Sequence, residues 1–129
     1  MRAIAALVIA GALAGASAPA DPQHSPEAQA KLDKMLQGRV AGAPVTCLPV
    51  IHILHPIAID DHTLVFRDGP RVWVNNLRGS FQCGQLDKMS DVQFGSMANQ
   101  VCAGSTLYFT SGMMQGACAL GEFTPYRNE

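Results

Sequence analysis

Strong charge of either sign is missing from this chain. Charged residues make up 15% of it, and 9 Lys plus Arg nearly balance 10 Asp plus Glu, for a formal net charge of −1. A binder of nucleic acid or of an acidic membrane needs a positive surface, so neither partner is expected. The phosphate-cradling G-x-x-x-x-G-K-S/T loop is absent. Ser80, Ser96 and Ser105 each follow a glycine but sit in no G-x-S-x-G elbow, and such pairs belong to turns. Close C-x-x-C pairs are absent too, which argues against a zinc site built on thiolates. Paired carboxylates for glycoside chemistry would have to come from Asp60, Asp61, Asp68, Asp87, Asp91 or Glu122, most of them turn-type residues beside Gly, Asp or Ser. No pattern here marks an enzyme, so catalysis is not the leading expectation, and no cofactor is expected. Repeats, low-complexity tracts and heptads are also missing.

The longest apolar run, Ala3 to Ala14, follows Met1-Arg2 and dissolves into Gly15, Ser17 and Pro19. A membrane span needs ~20 apolar residues. A shorter run behind one basic residue and before small residues is the pattern of a signal peptide. Ala18-Pro19-Ala20 before Asp21 is the preferred cut, because cutting after Ala18 would leave Pro19 next to the scissile bond. Residues 1–20 are thus expected to be removed, and the product to be periplasmic or secreted with no stable membrane insertion. Losing Arg2 leaves 8 basic against 10 acidic residues, a net charge of −2.

Cys47, Cys83, Cys102 and Cys118 all fall in the remaining part. An even number of cysteines in an exported chain reads as two disulfides. Three pairings are possible. Cys83–Cys102 with Cys47–Cys118 is the preferred one, joining the ends of a central connection and the first and last strands. Cys47–Cys83 with Cys102–Cys118 is its rival.

After a polar segment, Ser25-Pro26-Glu27 opens a helix over 26–37. Ser25 is the cap, Pro26 takes the first helical position and Glu27 lies at the positive end. Ala28, Leu32, Met35 and Leu36 form its apolar face, and Gly38 is its stop. Residues 21–39 make this segment, and 40–126 a β-rich domain. Val40 to Ile59 suits extended structure, broken by Pro44, Pro49 and Pro56. Thr63–Phe66 and Arg71–Asn75 are two arms of a hairpin around Arg67-Asp68-Gly69-Pro70, with Leu64 and Phe66 on one face and Val72 and Val74 opposite Trp73. Asn75 to Cys83 reads as a loop, Val92–Phe94 as a short strand, and Arg127-Asn128-Glu129 as a tail. Ser105–Thr110 and Ala117–Phe123 read as a terminal hairpin across a turn containing Gly112. The expected fold is α+β: one helix across a curved antiparallel sheet or partly open barrel of five or six strands.

Two groups of residues point beyond architecture. His52, His55 and His62 lie near Asp60 and Asp61, and imidazole with carboxylate suits zinc, copper or nickel. His52-x-x-His55 shares one face only in a helix, and its surroundings look extended. His24 is a separate metal candidate through the amino terminus, where copper prefers a histidine in third place; the cut after Ala20 makes it fourth. Met113 and Met114 at the hairpin tip, with Tyr108, are candidates for contact with a protein partner. An exported binding or structural module of the cell envelope is the first functional expectation. A metal-binding protein using the His52, His55 and His62 region is the second, and a small hydrolase the third.

Cys47-Leu48-Pro49, Leu64 to Gly69, Trp73 to Leu77 and Cys118-Ala119-Leu120-Gly121-Glu122-Phe123-Thr124-Pro125-Tyr126 together resemble a family of small exported proteins of Gram-negative bacteria, a domain of unknown function. The ending is the most specific part. The family pattern has an acidic residue after the Cys-x-Gly of the third cysteine, where this chain has Ser105 after Cys102-Ala103-Gly104. The resemblance implies an envelope location and a β-rich domain, and no activity.

Overall fold

The computed structural model describes residues 24–82, 86–95 and 98–128. The expected signal segment 1–20, Cys83 and Ser96 lie outside them. Helix α1 spans Pro26–Leu36. The Ser25 hydroxyl accepts the Ala28 N–H at 3.1 Å, satisfying one of the otherwise unpaired donors of the first turn. Past its end Gly38 takes φ +73°, a conformation that a side chain would strain.

In chain order the strands are β1 (Arg39–Ala41), β2 (Cys47–Pro49), β3 (Pro56–Asp60), β4 (Thr63–Asp68), β5 (Arg71–Asn76), β6 (Arg78–Gln82), β7 (Val92–Phe94), β8 (Gln100–Cys102), β9 (Thr106–Ser111), β10 (Met114–Ala119) and β11 (Phe123–Asn128). They form three antiparallel sheets: β1-β11-β5-β4-β3, β6-β10-β9-β7 and β2-β8. Each has two open edges, so the β-rich, one-helix class holds while the single sheet or barrel of five or six strands does not.

The centre of the large sheet is buried on both faces. Alternation sends Leu64, Phe66 and Trp73 inward, with Phe123 of β11, to a core shared with Leu48, Val101, Leu107, Phe109 and Leu120 of the smaller sheets and their connections. It sends Val65, Val72 and Val74 outward, where Ala28 and Leu32 of α1 cover them together with Ile59. Each such large side chain contributes about 1.5–3 kcal/mol by leaving water. The result is three layers: helix, large sheet, smaller sheets.

Several expectations are corrected here. The presumed loop from Asn75 to Cys83 contains β6, which pairs with β10. Ala117–Phe123 is not one strand: β10 ends at Ala119, and the chain crosses to the large sheet to begin β11 at Phe123. Arg127 and Asn128 of the presumed tail are part of β11, paired to Val40 and Arg39. Cys102 bonds to Cys47, not to Cys83, so neither proposed pairing holds. The reason lies in register: β2 and β8 set Cys47 directly opposite Cys102, Cα to Cα 3.9 Å. It is the disulfide whose two cysteines both lie among the described residues.

Candidate metal centre

The β3–β4 hairpin turns through Asp61 and His62, and the turn is shaped by Asp60. Its Oδ1 accepts the His62 backbone N–H at 3.0 Å, the side-chain-to-backbone bond typical of aspartate two residues upstream. A bulge at the end of β3 breaks the pairing between Ala58 and Asp60. The strict in–out alternation is therefore interrupted: Ile59 packs against the helix side, and Asp60, the next residue, still reaches the start of α1.

There it meets His24, the residue before the helix cap. His24 Nδ1 lies 2.5 Å from Asp60 Oδ2, and His62 Nδ1 lies 3.1 Å from Asp60 Oδ1. The two imidazole rings are tilted 32° with centroids 5.3 Å apart. His24 has a side chain only 5% exposed, whereas His62 is 40% exposed and Asp60 lies between them at 20%. One ligand atom from each of His24, Asp60 and His62 lies within 4.8 Å of the others. A cleft of about 430 Å³ opens beside them, flanked by Ser25, Glu27, Ile59 and Asp61. Its lining includes three carboxylates and no Lys or Arg, so its field favours a cation.

Two imidazole nitrogens and a carboxylate oxygen are a borderline donor set suited to zinc, nickel or copper rather than to magnesium or calcium. Tetrahedral zinc with bonds of ~2.0–2.1 Å places its ligand atoms about 3.3 Å apart.

Of the histidines His52, His55 and His62 grouped by the sequence, only His62 belongs to this centre, and of the two carboxylates near them Asp60 does. His52 lies in a 3-10 turn, Val50–Ile53, where extended structure was expected. Its Nδ1 is 2.8 Å from Asp68 Oδ2, which also accepts the Trp73 indole N–H at 3.1 Å. Asp68, which His52 meets, ends β4 and His62 precedes the strand, so the length of β4, roughly 17 Å, lies between Asp68 and the centre. His55 is exposed, its carbonyl accepting from Arg67 N–H. His24, which the sequence offered only as an amino-terminal copper ligand, supplies the third group instead. Its contact with Asp60 spans 36 positions, and no local pattern carries it.

The candidates for partner contact lie elsewhere. Met113 is fully exposed and Met114 62% exposed at the β9–β10 turn. Tyr108 stands on the outer face of β9, across from Gln93 and Ala117, in an open groove of about 620 Å³.

No protein-family model matches the chain, and comparison with curated proteins and with solved structures yields no significant match.

Proposed function

We propose that this chain is an exported, disulfide-stapled binding module of the cell envelope, and that what it binds is one divalent transition-metal ion held by His24, Asp60 and His62. The observation that carries the reading is the convergence of three ligand atoms within 4.8 Å, from segments far apart in sequence, beside an acidic cleft. Export is supported by the apolar leader in the sequence and by the Cys47–Cys102 disulfide, a bond that persists in oxidising compartments. No helix among the described residues is long and apolar enough to cross a membrane. The resemblance to exported Gram-negative proteins points the same way.

The same atoms also suit a hydrogen-bonded clamp, with each Nδ1–H donating to one oxygen of Asp60. Calorimetric titration of the untagged protein with zinc, nickel and copper separates the two. The metal reading expects one ion per chain, weaker binding of magnesium and calcium, and loss of the ion in Asp60→Ala and His62→Ala. Flat zinc, nickel and copper titrations would leave only the clamp.

A second reading rests on Met113. A fully exposed methionine beside a second exposed one is costly to leave in water and suits contact with a protein partner.

A further inference from the structure

We propose that metal occupancy at His24, Asp60 and His62 acts as a latch that holds α1 on the large sheet. The inference rests on the metal-binding reading and adds a consequence to it.

Helix α1 is docked lightly. Only Ala28 and Leu32 are buried, with Met35 and Leu36 partly so. Two polar ties add to this: Lys31 Nζ donates to the Ala58 carbonyl at 2.8 Å, and His24 bonds Asp60. A helix of eleven residues does not persist alone in water, so it is ordered by its docking.

The two ends of the helix are held differently. The C-terminal end runs through Gly38 directly into β1, which is paired with β11 in the sheet. Gly38 has a positive φ, and nothing lies within 4 Å of where a Cβ would stand, so it can serve as a pivot. The N-terminal end is tied by His24. Releasing it lets α1 swing from a surface made of Ile59, Val65, Val72 and Val74. Segments with few buried contacts open on their own, without global unfolding.

A metal bound to His24 as well as to Asp60 and His62 must lose a ligand before that opening. An ion that binds the docked form alone lowers the opening equilibrium constant by the factor 1 + [metal]/Kd. By linkage the converse holds: whatever frees the helix weakens the metal by the same factor. His62 and Asp60, contributed by one hairpin, would retain the ion only poorly.

Hydrogen exchange read by mass spectrometry tests this on the untagged protein with its disulfide intact, with and without zinc. At zinc 100 times its calorimetric Kd, amides 28–36 are expected to exchange roughly 100-fold more slowly. In His24→Ala the same amides exchange faster and ignore zinc, while protection across β4 and β5 shows that the sheet is folded. Zinc that binds by calorimetry yet leaves 28–36 unchanged overturns the latch and spares the metal site. A helix that already exchanges at the rate of the sheet core without zinc also overturns it, because the helix then has no opening of its own. Absence of zinc binding overturns both.

Discussion

The Asn75 side chain takes both backbone polar groups of Gly121. Its Nδ2 donates to the Gly121 carbonyl at 2.9 Å, and its Oδ1 accepts the Gly121 N–H at 2.8 Å. Both residues are buried. Gly121 lies where the chain leaves β10 and crosses to β11, so no ladder serves its backbone there, and the amide of Asn75 stands in for a strand. Asn75→Leu keeps the branching of the side chain, at larger volume, but leaves a buried donor and a buried acceptor unpaired, at about 2–4 kcal/mol. Gly121→Ala would bring a Cβ to 2.2 Å from the Asn76 carbonyl oxygen, a backbone atom that cannot turn aside. Urea unfolding followed by circular dichroism is expected to show both variants with lowered midpoints. A midpoint for Asn75→Leu equal to that of the parent would dismiss this role.

The crossover at Gly121 also shows where sequence patterns stop being informative. Ala117 to Phe123 reads from the sequence as one strand-like run that answers Ser105–Thr110 across the Gly112 turn. The chain divides it because Phe123 has a place in the central core against Phe66, with ring centroids 6.1 Å apart. The helix and the β4–β5 hairpin were readable because their signals are local. Ser25, Pro26 and Gly38 mark one, and the alternation of Leu64, Phe66 and Trp73 with Val65, Val72 and Val74 marks the other. The His24–Asp60 contact and the Cys47–Cys102 bond were not, since the first is set by the docking of the helix end on the large sheet and the second by the pairing of β2 with β8, strands distant in the chain. His52-x-x-His55 misled in the opposite way: three histidines close in sequence are parted by the length of β4.

The Cys47–Cys102 bond closes a loop with a sequence separation of 55, worth about 4 kcal/mol in chain-entropy terms. The double variant Cys47→Ala/Cys102→Ala is expected to lose stability of that order in urea titration. With these two joined, Cys118 has only Cys83 left as an intramolecular partner. Peptide mapping without reductant is therefore expected to recover a 47–102 and an 83–118 cross-link. Recovery of an 83–102 or 47–83 cross-link would contradict the register of β2 and β8.

Asp68 is the hub of a separate polar cluster at the far end of β4. One oxygen accepts from the Trp73 indole and lies within hydrogen-bond distance of His52, and the Arg71 guanidinium stacks 5.3 Å from the indole ring. Trp73 is buried, and it is the chain's single tryptophan. Asp68→Ala leaves the indole N–H without its acceptor, an expected loss of about 1–3 kcal/mol. Because fluorescence excited at the indole comes from this one side chain, the variant should also show a shifted emission in the folded state. Unaltered emission together with unaltered stability would mean that water replaces the carboxylate at no cost.

The methionines at the β9–β10 turn give the sharpest contrast between the two readings of function. Met113 makes no use of its apolar surface within the chain, being fully exposed, and Met114 is 62% exposed. Replacing both by serine should therefore leave stability within about 0.5 kcal/mol of the parent. Zinc affinity should not change either, because His24, Asp60 and His62 belong to another part of the fold. If a protein partner docks at the turn, cross-linking in cell-envelope extract should capture it with the parent and lose it with Met113→Ser/Met114→Ser. Equal capture by both forms would remove the turn from any account of binding and leave the histidine–aspartate centre as the one candidate argued from geometry.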